Sequence, residues 1–553
     1  MAREKTQDSK RVVRRRHLNF VWHIRHFIEV EADVHARSVC TRIMVVNIGT
    51  GPLSDNELIR IARHGEDIVL EPVALDTVAA TRTAIEALAT DPEPHYGIST
   101  GFGALATEFI PENQRVQLQR SLIRSHAAGT GAEVETEVIR GLMAQRLSTL
   151  MTGRTGVRPV VVETYAAMLN AGLTPIVFEY GSLGCSGDLA PLAHCALALM
   201  GEGQVRDRTG NAVDSRTALT AAGITPVELR EKEGLALING TDGMTTMLIL
   251  AIEDLRHLLR VADIALALSV EGLLATDKVF ADDLQALRPH PGQRASASNV
   301  RALLNGSPLI ASHAGPDDKR VQDAYSLRCA PQVHGAARDT VDHAARVAGY
   351  ELASAIDNPV VTLDYRVESN GNFHGAPVAY VLDFLAIAVA DVASISERRT
   401  DRFLDVARSY GLPPFLAHEA GVDSGLMIAQ YTAAAIVSEL KRLAAPASVD
   451  SIPSSAMQED HVSMGWSAGR KLRRALDGLS RVLAIEILTA ARGVALRDAD
   501  ASPATKPIVD LVNTATGGPG ADRFLSPEID AVVELVQSGR ILAMAEKSTG
   551  TLN

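Results

Sequence analysis

Four long stretches rich in alanine, leucine and valine set the architecture of this chain: Met244 to Ala275, Pro377 to Arg399, Leu426 to Ala445 and Ser467 to Val494. Each is far longer than a strand, and the charges spaced along it argue against membrane spans. Their apolar residues run round most of the helix surface, so they need cover on several sides, from a bundle or from further copies of the chain. Aromatic residues make up only 4% of the sequence, so aliphatic side chains fill the core and favour close helix packing. The expected fold is mainly α. A long-helix central bundle spans 244–500, a smaller N-terminal domain 44–243, and a C-terminal helical segment 501–553. Residues 1–43 contain the basic run Lys10-Arg11-Val12-Val13-Arg14-Arg15-Arg16 and are read as a solvated extension, or as sequence upstream of a start at Met44.

The N-terminal part carries the densest glycine pattern, Gly181-Ser182-Leu183-Gly184-Cys185-Ser186-Gly187-Asp188-Leu189-Ala190-Pro191-Leu192-Ala193-His194. Glycines at intervals of three allow a tight turn before a helix. Three readings stay open on these residues alone. The turn could cradle an anion at the helix start, although it lacks the lysine of a P-loop. It could simply pack under the helix. It could also react with itself: the Gly187 nitrogen attacks the Cys185 carbonyl, Ser186 loses water, and a methylidene-imidazolone electrophile results.

The formal net charge of −12 argues against general nucleic-acid binding. Four scattered cysteines give neither a disulfide framework nor a zinc pattern, and the 16 histidines show no metal spacing. A reducing cytoplasm is the expected compartment, with no metal, nucleotide, nucleic-acid or membrane partner.

Other motifs are ambiguous one at a time. Ser54-Asp55-Asn56-Glu57 has capping-box form. Tyr96-Gly97-Ile98-Ser99-Thr100-Gly101-Phe102-Gly103 is a flexible turn or a lid presenting Tyr96. His126 ends a helix, where it complements the dipole, with Gly129 as the left-handed terminator. Asn239-Gly240 makes a turn. Gln322, Tyr325 and Arg328 share one face if their segment is helical, and Arg328 then suits a carboxylate. Ser455 and Gln458 have capping-box spacing, which would place Glu459 in the first turn of a helix.

Together these stretches resemble the aromatic amino-acid ammonia-lyase family, closest to its histidine-specific bacterial members, from about Met44 to Asn553. Gly181 to His194 is similar to the family's cofactor loop, and Tyr96 to Gly103 to its Tyr-Gly-x-x-Thr-Gly-Phe-Gly. The resemblance implies a fumarase/aspartase-like fold, a homotetramer with active sites shared between subunits, and elimination of ammonia from L-histidine to give trans-urocanate. It implies that Cys185, Ser186 and Gly187 cyclise autocatalytically to 4-methylidene-imidazol-5-one. The commonest family triad begins with alanine, so Cys185 departs from it; only its backbone carbonyl enters the ring, so cyclisation is expected to survive. By the same resemblance Tyr96 takes the β-proton, while Asn239 and Tyr325 stand close to the cofactor. Arg328 holds the carboxylate, and Leu189, Gln322 and Phe373 line the pocket. His126 and Glu459 match the residues that distinguish histidine-specific members, and both suit an imidazole. The rival expectations are a tyrosine or phenylalanine ammonia-lyase or aminomutase of the same family and, from another class, an inactive helical scaffold.

Overall fold

The computed structural model describes residues 45–315 and 321–553; the basic run and the other residues of the 1–43 extension lie outside the described residues. The four apolar stretches form single helices, Asp242–Gly272, Ala376–Leu404, Met427–Leu443 and Gly465–Ala495, and Ala330–Leu352 packs beside them. The chain is mainly helical, as its sequence predicts.

Close packing in this bundle rests on small residues meeting the few large ones. Phe403 lies against both Gly272 and Gly493, where an added Cβ would come within 2.7 and 2.6 Å of its ring. A polar pin sits in the same bundle. Glu486 pairs with Arg399 at 2.5 Å, and its two oxygens accept from Ser269 Oγ at 2.7 Å and Ser396 Oγ at 2.6 Å. Desolvation offsets most of the Coulombic gain of such a buried pair, so its main effect is to fix the register of three helices.

The Ala376–Leu404 helix corrects one sequence reading, because by length and composition alone it is apolar enough to cross a membrane. Spaced charge therefore does not rule out a span there. Its packing accounts for the apolarity instead, since Val378, Leu382, Leu385, Val389 and Val392 are buried against the bundle.

The N-terminal part is built from shorter helices and small sheets. Val46–Ile48 pairs in parallel with Ile68–Leu70, and Thr174–Pro175, Gln204–Arg206 and Ala212–Asp214 form a three-stranded antiparallel sheet. The capping box expected at Ser54 forms, with Ser54 N–H donating to Glu57 at 2.9 Å and Glu57 N–H to Ser54 Oγ at 3.2 Å. Two arginines join this part to the bundle. Arg63 reaches Glu137 at 2.7 Å and Asp254 at 2.8 Å, and Arg473 from the Gly465–Ala495 helix meets the same two carboxylates.

Candidate active site

The turn at Gly181 to Asp188 is held by three other segments. Its glycines take positive φ, 68° at Gly184 and 74° at Gly187, which lets the chain double back into the Leu189–Leu199 helix. Gly187 bridges to Gly240 so closely that a Cβ would lie 2.1 Å from the Gly240 oxygen, and the Asp188 N–H donates to that oxygen at 2.7 Å. The buried Asp188 carboxylate accepts from the Gly243 and Met244 amides at 2.9 Å each, and from Ser182 Oγ at 3.1 Å. It thereby satisfies the free amides at the start of the longest helices' first member, Asp242–Gly272. Burial nevertheless pushes its carboxyl up to about 7, against those hydrogen bonds. On the far side, Ser463 Oγ donates to the Gly184 carbonyl at 2.7 Å, and the Gly375 N–H to the same oxygen at 3.1 Å. The Gly184 N–H donates to Ser182 Oγ at 3.2 Å, so the amides of Gly184 and Asp188 are both engaged within the protein, and the carboxylates of Asp188 and Glu459 lie at the turn. That arrangement disfavours the anion-cradle reading.

Asn239 precedes Gly240. Its backbone carbonyl accepts from the fully buried Arg146 at 2.9 Å, while its side-chain oxygen is buried with no hydrogen-bond partner among the described residues. An orphaned amide oxygen beside a strained turn is costly unless a further group meets it.

Glu459 closes over the triad. Cys185 Sγ donates to its Oε2 at 3.0 Å and Ser186 Oγ to its Oε1 at 3.1 Å, with Ser454 Oγ also donating to Oε2 at 3.1 Å. The thiol is pushed up to about 12, first by burial and then by the Glu459 carboxylate. The expected capping box at Ser455 and Gln458 is not formed. Residues Ser455, Ala456 and Met457 instead take left-handed φ of 52°, 53° and 69°, and Ser454 bridges to Glu459 across this turn. Such backbone costs energy at each non-glycine position, and it aims Glu459 inward.

Tyr96 lies nearby, its phenol oxygen accepting from the Gly103 N–H at 3.2 Å, and a Cβ on Gly103 would sit 3.5 Å from Ser455 Oγ. Of the two expectations for this stretch, the freely flexible turn is disfavoured, since Ile98, Ser99 and Thr100 are buried and anchor it. His126 does end the Arg115–His126 helix, with Nδ1 at 2.9 Å from the Leu122 carbonyl. Burial lowers its pKa below the usual histidine value, only partly offset by that carbonyl and by the charge of Glu459. Gly129 is not a left-handed cap; its lack of a side chain instead allows close approach, since a Cβ would lie 3.0 Å from His194 Nε2, which accepts its N–H, and 3.1 Å from the Tyr180 carbonyl oxygen.

The remaining candidates stand differently. Leu189 opens the helix after the turn and is partly buried, as is Phe373 just before Gly375. Gln322 lies outside any helix, because the helical segment is only Tyr325–Arg328, so the expected three-residue face is reduced to two. Tyr325 is 70% exposed, and the Arg328 guanidinium rests 4.5 Å above its ring. Among the described residues, no hydrogen bond joins Gln322, Tyr325 or Arg328 to the turn. Sequence reasoning passed over Arg146, Asp188, Ser454 and Ser463, all supports of the site. Asp188 alone carried a signal, as an acidic residue directly ahead of an apolar helix.

Comparison with known proteins gives consistent matches. The family model described as "Aromatic amino acid lyase" covers residues 53–514. The chain is similar to a histidine ammonia-lyase from Streptomyces griseus, 60% identical over 92% of this chain and 99% of that one. It is 46% identical to a histidine ammonia-lyase from Gloeobacter violaceus over 91% of this chain and 97% of that one. Among solved structures it resembles histidine ammonia-lyase from Trypanosoma cruzi, at a TM-score of 0.83 and 38% identity, covering 91% and 96% of the two chains. It also resembles tyrosine aminomutase from Streptomyces globisporus, at 0.86 and 37%, covering 92% and 100%.

Proposed function

The chain belongs to the aromatic amino acid lyase family, and from that premise we propose that it is a carbon–nitrogen lyase that releases ammonia from L-histidine to give trans-urocanate, opening histidine breakdown. The observation that carries the substrate choice is Glu459, a carboxylate set over the triad with His126 close by. An apolar pair at these positions would suit a phenyl ring; a carboxylate and an imidazole suit a ring that carries N–H groups.

Residues 185–187 fit the ring that the family resemblance implies. Gly187 has no room for a side chain, its neighbours clamp the doubled-back backbone, and the orphaned Asn239 oxygen faces an unmet need beside it. When formed, the methylidene-imidazolone supplies an electrophile that no ordinary side chain offers, which helps a poor leaving group depart. The protein's own groups do the rest. Tyr96, oriented by the Gly103 amide, takes the β-proton. Glu459 accepts a ring N–H, and neutral His126 shares a hydrogen bond with the ring. Asn239 and Tyr325 border the reacting end, and Leu189, Gln322 and Phe373 line the pocket. Arg328 grips the carboxylate in a bidentate pair.

Arg328, Tyr325 and Gln322 are assigned to the site of a neighbouring copy, in a homotetramer. Support for assembly comes from Tyr380, Phe384 and Ile387, exposed at helical spacing on one long helix, and from Ile428 and Tyr431 on another. No metal, nucleotide, nucleic acid or membrane enters this reading, and the cytoplasm is its compartment.

The test is incubation of the purified protein with L-histidine, L-tyrosine and L-phenylalanine in turn, following ammonia and near-ultraviolet absorbance. Urocanate from histidine alone is expected. Product from tyrosine or phenylalanine would reassign Glu459 and His126, and silence with all three would leave a scaffold.

A further inference from the structure

We propose that Cys185 and Ser454 are positioning residues that hold one oxygen of Glu459, so that ring formation at Ser186 uncovers the other for the substrate's imidazole. This rests on the reading of Glu459 as the imidazole partner. The carboxylate is bound unequally among the described residues: Oε2 accepts from both Cys185 Sγ and Ser454 Oγ, whereas Oε1 accepts from Ser186 Oγ. Dehydration removes that single donor. The Ser186 Cβ–Oγ bond breaks with its electron pair on oxygen, the Cα proton is lost, water departs and the carbon–carbon double bond forms. Oε1 is then the oxygen without a partner.

The two donors on Oε2 are unaffected by this step, because neither hydroxyl of Ser454 nor thiol of Cys185 enters the ring. The thiol, held near 12, stays protonated at neutral pH and therefore remains a donor. Without such anchors a glutamate spins readily about its last side-chain bond, which is broad and nearly free. Left-handed Ser455 to Met457 fix the backbone below it, and the paired donors fix the head group above. Cys185 thereby acquires a purpose that an alanine at the start of the triad does not serve.

The test uses the full-length enzyme and Cys185→Ala, Cys185→Ser, Ser454→Ala and Glu459→Gln. Peptide mass across 185–187 first reports whether each chain has lost two waters. Calorimetry then measures binding of urocanate and of cinnamate, which has the same acrylate chain on an apolar ring. Cys185→Ala and Ser454→Ala are each expected to weaken urocanate about tenfold, with cinnamate unchanged, and Cys185→Ser to recover most of the loss. Ser454 lies outside the triad, so its variant answers even if Cys185→Ala fails to fold or to form the ring. Wild-type discrimination in both alanine variants, alongside its loss in Glu459→Gln, overturns the proposal. Wild-type discrimination in Glu459→Gln removes the imidazole reading itself, and a wild-type triad of full mass removes the cofactor.

Discussion

The Gly181 to Asp188 turn and the Gln322 to Arg328 segment are assigned to one reaction, yet they are built by opposite means. The turn is clamped mostly by backbone: Gly240, Gly243, Met244 and Gly375 bond to it through main-chain groups and Ser463 through its hydroxyl, and hardly any solvent reaches Gly187 or Asp188. The segment has one short helix, an exposed tyrosine, and an arginine resting on that ring with its Nε–H given to the Asp323 carbonyl at 2.9 Å. On the proposed reading the turn attacks itself, and such a stretch needs its atoms fixed before any substrate arrives, which close contacts within one chain provide. An arginine that awaits a carboxylate has to keep its fork open until another surface closes over it.

Ser186 separates the two regions most clearly. Replacing it with alanine should cut turnover at least about a thousandfold while helical content and assembly stay as they are, read by product assay and size-exclusion chromatography. Substantial activity in that variant would show that the turn makes no electrophile. Asp188→Ala comes next. It strands the Gly243 and Met244 amides, so chemical denaturation should show a loss of about 2–4 kcal/mol, and the triad should keep more of its mass. Arg328→Ala, by contrast, should leave stability within about 0.5 kcal/mol and weaken substrate binding.

Mixing the two impaired proteins separates the regions further. If turn and arginine of one site come from different copies, co-refolded Ser186→Ala and Arg328→Ala chains should show more activity than either has alone. No recovery would place both in the same copy. The smallest effect is on pH. With its folded pKa raised to about 7, Asp188 keeps a proton that the unfolded chain has given up above the ordinary aspartate value. Its contribution is therefore fully present below about 4 and is lost as pH rises through 7. Denaturation midpoints across that window should slope less in Asp188→Asn, and no matching change should follow from Arg328→Ala.

Much of this was legible in the chain. The long helices follow from the length and all-round apolarity of their stretches, the Ser54 box from four residues, and the turn from its glycine spacing. What escaped depended on distant partners. Ser455 and Gln458 have the right spacing for a cap, yet the chain there is pulled left-handed so that Glu459 can meet Cys185 and Ser186, more than 270 residues away in sequence. Gly129 reads as a terminator locally, and only the approach of His194 shows otherwise. The spacing of Gln322, Tyr325 and Arg328 puts them on one face only if the whole segment is helical, and the helix begins at Tyr325. Arg146 carries no motif at all; its role comes from sitting where the Asn239 and Ile356 carbonyls converge.

Asp188 also ties the turn to a beam. The Asp242–Gly272 helix that it caps has 31 residues and so runs about 46 Å. Because the first amides of this rod are bolted to the glycine-rich turn, a tilt at its distant end is delivered to the turn as leverage. Substitutions near Gly272, where Phe403 is wedged, can thus detune the chemistry without touching it, and random mutagenesis should find part of its loss-of-function load at the far end of the rod.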